Sequence, residues 1–188
     1  MKRVYGLMGI ILFAGACSSP APAPAAAPAA PAVQPYSSLA QVMRGIPFPN
    51  SNIIFDTQSL DPAAQTDKKP GEAAVGASAQ YNSVYGGWQA VENAALAISE
   101  TANLITIPGR LCENGKPVPL DREDYKKFAA NLAEAGKAAY KVAQSKNLDA
   151  MLEVGGTVTD ACSACHEVYR DKDNNADRCT PPAAAAAK

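Results

Sequence analysis

The residues with the clearest chemical potential in this 188-residue chain are two cysteines and a histidine near its carboxyl end. They form the sequence Cys162-Ser163-Ala164-Cys165-His166. This CxxCH spacing is the attachment signature of c-type haem, in which the two thiols add to the vinyl groups of one haem. The adjacent histidine then reaches the iron as an axial ligand. The motif therefore predicts one covalently attached haem c per chain.

The same motif also occurs in three settings without haem. A zinc site needs about four ligands, and with a single histidine in the chain it would have to recruit Cys112, Cys179 or carboxylates. A thioredoxin-like cysteine pair follows a strand in an α/β pattern, whereas no strand-like alternation persists in this sequence. The third alternative is a non-haem structural lipoprotein in which CxxCH is incidental. We favour haem attachment.

The amino terminus has the pattern of an export signal. Lys2 and Arg3 precede an apolar run over residues 7–16, which ends in Ala14-Gly15-Ala16 before Cys17. We therefore expect residues 1–16 to be a signal peptide. Ala-x-Ala suits an ordinary signal peptidase, whereas small residues directly before Cys17 resemble a bacterial lipobox, although a typical lipobox has Leu in place of Ala14. We favour the second interpretation, in which Cys17 is lipidated. Either cleavage predicts a bacterial periplasmic protein, and c-type haem is attached on that side of the membrane.

The segment after the signal is rich in proline and alanine. Residues 18–35 contain 6 Pro and 8 Ala, a composition that favours extended polyproline geometry with a reach of about 55 Å. We interpret residues 17–35 as a lipid-anchor candidate with a tether to the membrane, the alternative being a disordered leader without a role. Residues 180–188 are expected to be a disordered tail. The folded domain is then residues 36–179.

Apolar residues recur at steps of three and four within this domain, which indicates helices. The four segments are Leu39–Phe55, broken at Pro47 and Pro49; Trp88–Ile105; Tyr125–Val142, with Asp121 as N-cap and Asp124 in the capping-box position; and Leu148–Tyr169. We predict an all-α, antiparallel up-down-up-down four-helix bundle with a covalently bound haem.

The stretch Cys162–Arg170 (CSACHEVYR), late in the last helix of such a bundle, resembles the class II cytochromes c, that is, cytochrome c′ and the cytochrome c-556 group. The resemblance implies that Cys162 and Cys165 hold the haem and that His166 is the proximal ligand. Arg170 lies one turn after His166 and is a candidate partner of a haem propionate, or a plain surface cation. The resemblance also implies periplasmic redox partner proteins and allows a homodimer.

The family divides by what occupies the other side of the iron. One form is five-coordinate and binds small gases such as NO or CO; the other is six-coordinate through a methionine and carries electrons. Met1 and Met8 leave with the signal, and Met151 lies about 22 Å along one helix from His166. Met43, in the first helix, is therefore the candidate distal ligand. Its alternative role is core packing.

Other residues have supporting roles in this prediction. Trp88 and Tyr125 either flank the haem or pack in the core, and Arg44 is a second propionate candidate. In an up-down-up-down bundle, Cys112 and Cys179 fall at the same end. Because an exported protein meets an oxidising compartment, we predict a Cys112–Cys179 disulfide, the alternative being that one or both are unpaired.

Composition and charge limit the function classes. The net charge is −1, which gives no reason to expect nucleic-acid binding. The sequence near the motif contains no acid/base pair and no nucleophile of the kind that would indicate an enzyme. The aromatic content of 6% fits a bundle whose interior is completed by a haem. We expect single-electron transfer, with a five-coordinate gas-binding protein as the alternative.

Overall fold

The computed structural model describes residues 33–64 and 86–180. The predicted signal peptide, Cys17, most of the tether and residues 181–188 lie outside these ranges. The helices are α1 (Leu39–Gly45), α2 (Pro47–Asp56), α3 (Gly87–Ile105), α4 (Glu123–Ser145), α5 (Leu148–Tyr169) and a short 3-10 helix (Asn175–Asp177). Within the described ranges there is no strand, and Leu111 and Pro117 form an isolated bridge.

The predicted all-α four-helix bundle is confirmed, with α1 and α2 together forming its first helical segment. Ser38 caps α1, accepting from the backbone N–H of Gln41 while the Gln41 side chain accepts from the N–H of Ser38. At Ile46 the backbone leaves helical geometry (φ −124°, ψ −69°), and Pro47 starts α2. Proline has no N–H to continue a helix but suits a first turn, so the predicted break occurs at Pro47. Pro49 instead lies inside α2.

The expected N-cap of α4 is wrong. The N-cap is Arg122, without a side-chain cap, and Asp121 is an exposed turn residue. Asp124 does not complete a capping box: its carboxylate accepts hydrogen bonds from Arg122, Tyr169 and the backbone N–H of Tyr125. A charged partner and a buried phenol compete successfully for this carboxylate because charge-assisted hydrogen bonds are the stronger ones.

The turn between α4 and α5 lies where the sequence predicts it. Lys146 adopts left-handed geometry (φ 53°), and the Asn147 side chain accepts from the N–H of Ala150 at 3.0 Å to cap α5. Between α3 and α4 the backbones lie very close at Gly136, which is buried. Alanines such as Ala95 and Ala139 fill this interior, so a small number of aromatic residues suffices.

A second, smaller cluster closes one end of the bundle. Tyr125 and Tyr169 pack there with Val118 and a disulfide between Cys112 and Cys179, whose Cα atoms are 6.5 Å apart. This is the cysteine pairing expected from the topology. It joins the α3–α4 connection to the segment after α5. No helix within residues 33–64 and 86–180 is both long and apolar enough to cross a membrane.

Candidate functional site

A cavity of about 510 Å³ lies between the α1–α2 segment and the last three turns of α5. This volume falls in the usual range for ligand and cofactor sites. Most of its lining is apolar and includes Leu39, Pro47, Phe55, Phe128 and Leu132. The structure brings to it every residue of the CxxCH motif except Ala164. The cavity is therefore the place to test whether a haem fits.

Helix α5 presents the reactive residues of the motif on one face. Cys165 and His166 lie three and four positions after Cys162, the spacings that are neighbours on a helix surface. Both cysteines are half-buried and free of disulfides. Two unpaired thiols on the wall of a cofactor-sized apolar cavity fit thioether attachment to haem.

The chemical environment does not favour the alternative uses of the cysteines. Burial raises the pKa of both Cys162 and Cys165, the latter to about 12, whereas reactive redox thiols have lowered pKa values. For zinc, Cys112 and Cys179 are already joined to each other. No group of three or more His, Cys, Asp or Glu side chains is placed to hold a metal ion within the part of the chain that the structure describes.

His166 faces the cavity with its ring nitrogens uncommitted to the described residues. Its backbone carbonyl accepts from the N–H groups of Arg170 and Asp171 at 2.8 and 2.7 Å, whereas no hydrogen bond of its imidazole occurs within residues 33–64 and 86–180. Burial, assisted by the positive charge of Arg170, lowers the pKa of His166. Both effects favour the neutral imidazole, which is the form that ligates a metal.

The two methionines of the described residues have different surroundings. Met43 is half-buried and lines the cavity from α1. Met151 is fully buried in the main core and is not part of the cavity wall. The structure thus brings Met43, but not Met151, to the cavity that contains His166.

An aromatic wall stands beside Cys165. The rings of Tyr125 and Phe128 both meet Tyr169 edge to face, with ring centres 5.5 and 6.4 Å away. The Tyr125 hydroxyl donates to the carbonyl of Ile105 at 3.2 Å. Tyr125 lines the cavity and is at the same time a buried member of the second cluster.

Trp88 is not in this wall: of the two roles considered for it, haem packing and core packing, the structure supports core packing. It is buried in the main core and does not line the cavity. The reason is its position in the first turn of α3, since the cavity contacts this helix at Ile105. Those 17 residues correspond to about 26 Å along a helix axis.

Four charged side chains line the cavity. Arg44 and Arg178 share the Glu113 carboxylate, at 2.6 and 3.5 Å respectively. Arg170 is paired with its neighbour Asp171 at 2.6 Å. Sequence reasoning identified Arg44 and Arg170 but missed Arg178 and Glu113. The signal for the missed residues was their position directly beside the predicted disulfide partners.

Comparison with known proteins bears on this geometry. Residues 118–170 match the family model described as Cytochrome C', and the match contains α4, α5 and the whole CxxCH motif. No curated protein and no solved structure matches the chain. The cytochrome c′ family binds haem c covalently and its members are periplasmic. Through this segment, the chain is similar to the cytochrome c′ family of class II c-type cytochromes.

Proposed function

We propose that this haem-binding cytochrome is a single-electron carrier. In the proposal, Cys162 and Cys165 hold haem c by thioether bonds, His166 is the proximal iron ligand and Met43 is the distal ligand. The observation that carries it is one cavity lined both by the CxxCH face of α5 and by Met43 of α1. The spacing of Cys162, Cys165 and His166 places them on one face of α5, and Met43 lies in the last turn of α1.

Each residue has a distinct task in this proposal. Two thioethers keep the haem, which supplies one-electron chemistry, in a small exported protein. His166 and Met43 would both ligate the iron, which would leave it no open position for a substrate. A methionine ligand also raises the reduction potential. The apolar lining, including Phe55 and Leu132, restricts the access of water to the site.

The alternative function is binding of NO or CO at five-coordinate iron. Met43 is only half-buried, and apolar side chains such as Leu39 and Phe55 share its part of the lining. If the thioether points away from the iron, these side chains form a pocket suited to a small apolar gas. The two functions thus differ in the position of one side chain.

The spectrum of the oxidised protein separates these functions. We expect the weak long-wavelength absorption band of methionine-ligated ferric haem in the wild type and in Met151→Leu, and its loss in Met43→Ala. Met151→Leu is the matched control because this methionine lies in the core, away from the cavity. A five-coordinate high-spin wild-type spectrum, with rapid CO binding after reduction, would sink the electron-carrier proposal and support gas binding.

For the cellular setting we propose a periplasmic protein, anchored by lipid on Cys17, that exchanges electrons with periplasmic redox proteins. The sequence around Cys17 and the Pro/Ala tether support it. The test is fractionation of cells that express the full chain. Wild type should be in the membrane fraction and Cys17→Ser in the soluble fraction; equal distribution of the two would show that Cys17 is not the anchor.

A further inference from the structure

Arg178 carries an unsatisfied donor beside the cavity. Its Nε is buried and has no hydrogen-bond partner among the residues that the structure describes, although the residue lines the cavity. Its guanidinium is only 3.5 Å from Glu113, through a different nitrogen, Nη1. Buried donors are nearly always paired in folded proteins. The orphaned Nε–H is therefore the sign of a missing acceptor.

The backbone around Arg178 is fixed from several directions. The Asn114 side-chain amide donates to the carbonyl of Arg178 at 2.9 Å. The next residue, Cys179, is held by the disulfide, and its N–H donates to the carbonyl of Tyr169 at 2.9 Å. Cys179 also adopts a positive φ of 59°, which a non-glycine residue keeps only when its surroundings hold it there. The fold thus holds Arg178 at the cavity.

The charges around it leave room for one more carboxylate. Arg44 and Arg178 share the single carboxylate of Glu113, so these three side chains sum to +1. Arg170, the candidate from the sequence, is already engaged by Asp171 through two hydrogen bonds of 2.6 and 3.2 Å. Of the arginines that line the cavity, Arg178 is the one with a buried donor that has no acceptor within the described residues.

We propose that Arg178 binds a propionate carboxylate of the haem, with the Cys112–Cys179 disulfide positioning it. The inference rests on the proposed function, because the propionate belongs to the haem held by Cys162 and Cys165. A guanidinium suits this task since its planar nitrogens match both oxygens of a carboxylate. Arg178 lies beyond the segment matched by the family model, which ends at residue 170.

The experiment uses the haem-loaded full chain and compares Arg178→Gln, Arg178→Lys and Arg170→Gln. Lys137→Gln is the matched control: it removes one positive charge from an exposed pair with Glu134, away from the cavity. The first measurement is the carboxylate stretching region of the redox-difference infrared spectrum. The second is the reduction potential, because a cation near the haem stabilises the reduced form.

We expect Arg178→Gln to shift the propionate carboxylate band and to lower the equilibrium constant for reduction by about three- to tenfold, tenfold being about 59 mV. Arg178→Lys should keep the potential within twofold of wild type but still shift the band, since it keeps the charge and loses the planar fork. Lys137→Gln should change neither. If Arg178→Gln does not fold, the band shift in Arg178→Lys decides.

Two results would overturn the inference. One is a wild-type band and potential in both Arg178 variants. The other is a shift of both signals in Arg170→Gln alone, which would assign the propionate to Arg170. A wild-type protein without covalent haem would instead overturn the proposed function, and measurement of haem content before the spectra distinguishes the two failures.

Discussion

The side chain of Tyr169 connects the haem motif to the rest of the bundle. Its hydroxyl donates to Asp124 Oδ1 at 2.7 Å and accepts from Arg122 Nε at 3.0 Å. Arg122 holds the pKa of Asp124 far below its usual range, and burial, followed by the bond to Asp124, raises the pKa of Tyr169 to about 12. These charges fix a ring that lines the cavity one turn after Cys165.

We expect Asp124→Asn to lower the free energy of unfolding by about 1 kcal/mol at neutral pH, because it removes a charge-assisted acceptor that is partly open to solvent. Because the pKa of Asp124 is lowered in the folded state, its carboxylate stabilises the fold fully at pH values above the unfolded-state pKa of about 3.9. This stabilisation is lost as the pH falls through the folded-state pKa. The difference between variant and wild type should therefore shrink in acid. Urea unfolding across the pH range measures it.

Glu134→Gln is the control for that experiment. Glu134 forms an exposed i,i+3 pair with Lys137, and solvent screening should leave such a pair with little effect on stability. If the Asp124→Asn difference does not depend on pH, or equals that of Glu134→Gln, the network around Tyr169 does not stabilise the fold as described.

At this scale the sequence predicted residues whose function depends on local spacing. Cys162, Cys165 and His166 could be proposed as haem-binding residues because that chemistry depends on neighbouring positions in one helix, and the structure brings all three to one cavity. Arg178 and Glu113 could not, because they meet only after a disulfide joins two distant segments. The N-cap at Asp121 was predicted wrongly: Arg122 takes that position, and Asp124 binds Arg122 and Tyr169 instead of completing a capping box. The sequence pattern does not show the tertiary contact with Tyr169.

Among the elements, the close approach of α3 and α4 depends on one glycine. A Cβ at Gly136 would lie 2.5 Å from the backbone N of Ser99 and 2.9 Å from the carbonyl O of Ala95. Both atoms belong to helical backbone and cannot turn aside as a side chain can. The two helices must separate to accommodate any other residue.

We therefore expect Gly136→Ala to destabilise the protein by about 1–3 kcal/mol, the cost of overpacking a core, in spite of alanine's higher helix propensity. Gly156→Ala is the matched control in α5: nothing lies within 4 Å of its Cβ, so it should be neutral or stabilising by up to about 1 kcal/mol. Thermal unfolding followed by circular dichroism compares them. Equal stabilities of the two variants would refute the close contact.

The disulfide joins the α3–α4 connection to the segment that follows α5, and so links no two helices directly. It closes 67 residues, for which the chain-entropy model gives about 4 kcal/mol at most. We expect Cys112→Ser with Cys179→Ser to lower the free energy of unfolding by up to this amount. Denaturant unfolding measures the loss, and two free thiols at these positions in the wild type, found by alkylation, would contradict the linkage.

Helix positions were predictable to the extent that their apolar stripes were regular. The stripes of α3 and α5 gave helices with nearly the observed ends, and Pro47 gave the break after α1. Periodicity shows which face of a helix is buried but not against what. Trp88 and Ile105 lie on one apolar stripe but at opposite ends of α3, and only the end with Ile105 borders the cavity.

For the whole molecule, the cavity explains how a bundle with few aromatic residues can enclose a cofactor. Small residues bring α3 and α4 together, whereas the carboxyl-terminal half of α5 stays half-buried along residues 161–166. That half carries the CxxCH motif and borders the cavity. Side chains there are only partly covered by protein, which suits a binding site for a large apolar group.

The central claim is that one haem is attached through Cys162 and Cys165, and mass spectrometry of peptides from the exported protein tests it most directly. We predict that the peptide containing both cysteines carries the mass of one haem with no free thiol, and that this mass is absent from the peptides containing Cys112 and Cys179. A peptide in which Cys162 and Cys165 are unmodified thiols, or are joined to each other, would contradict it.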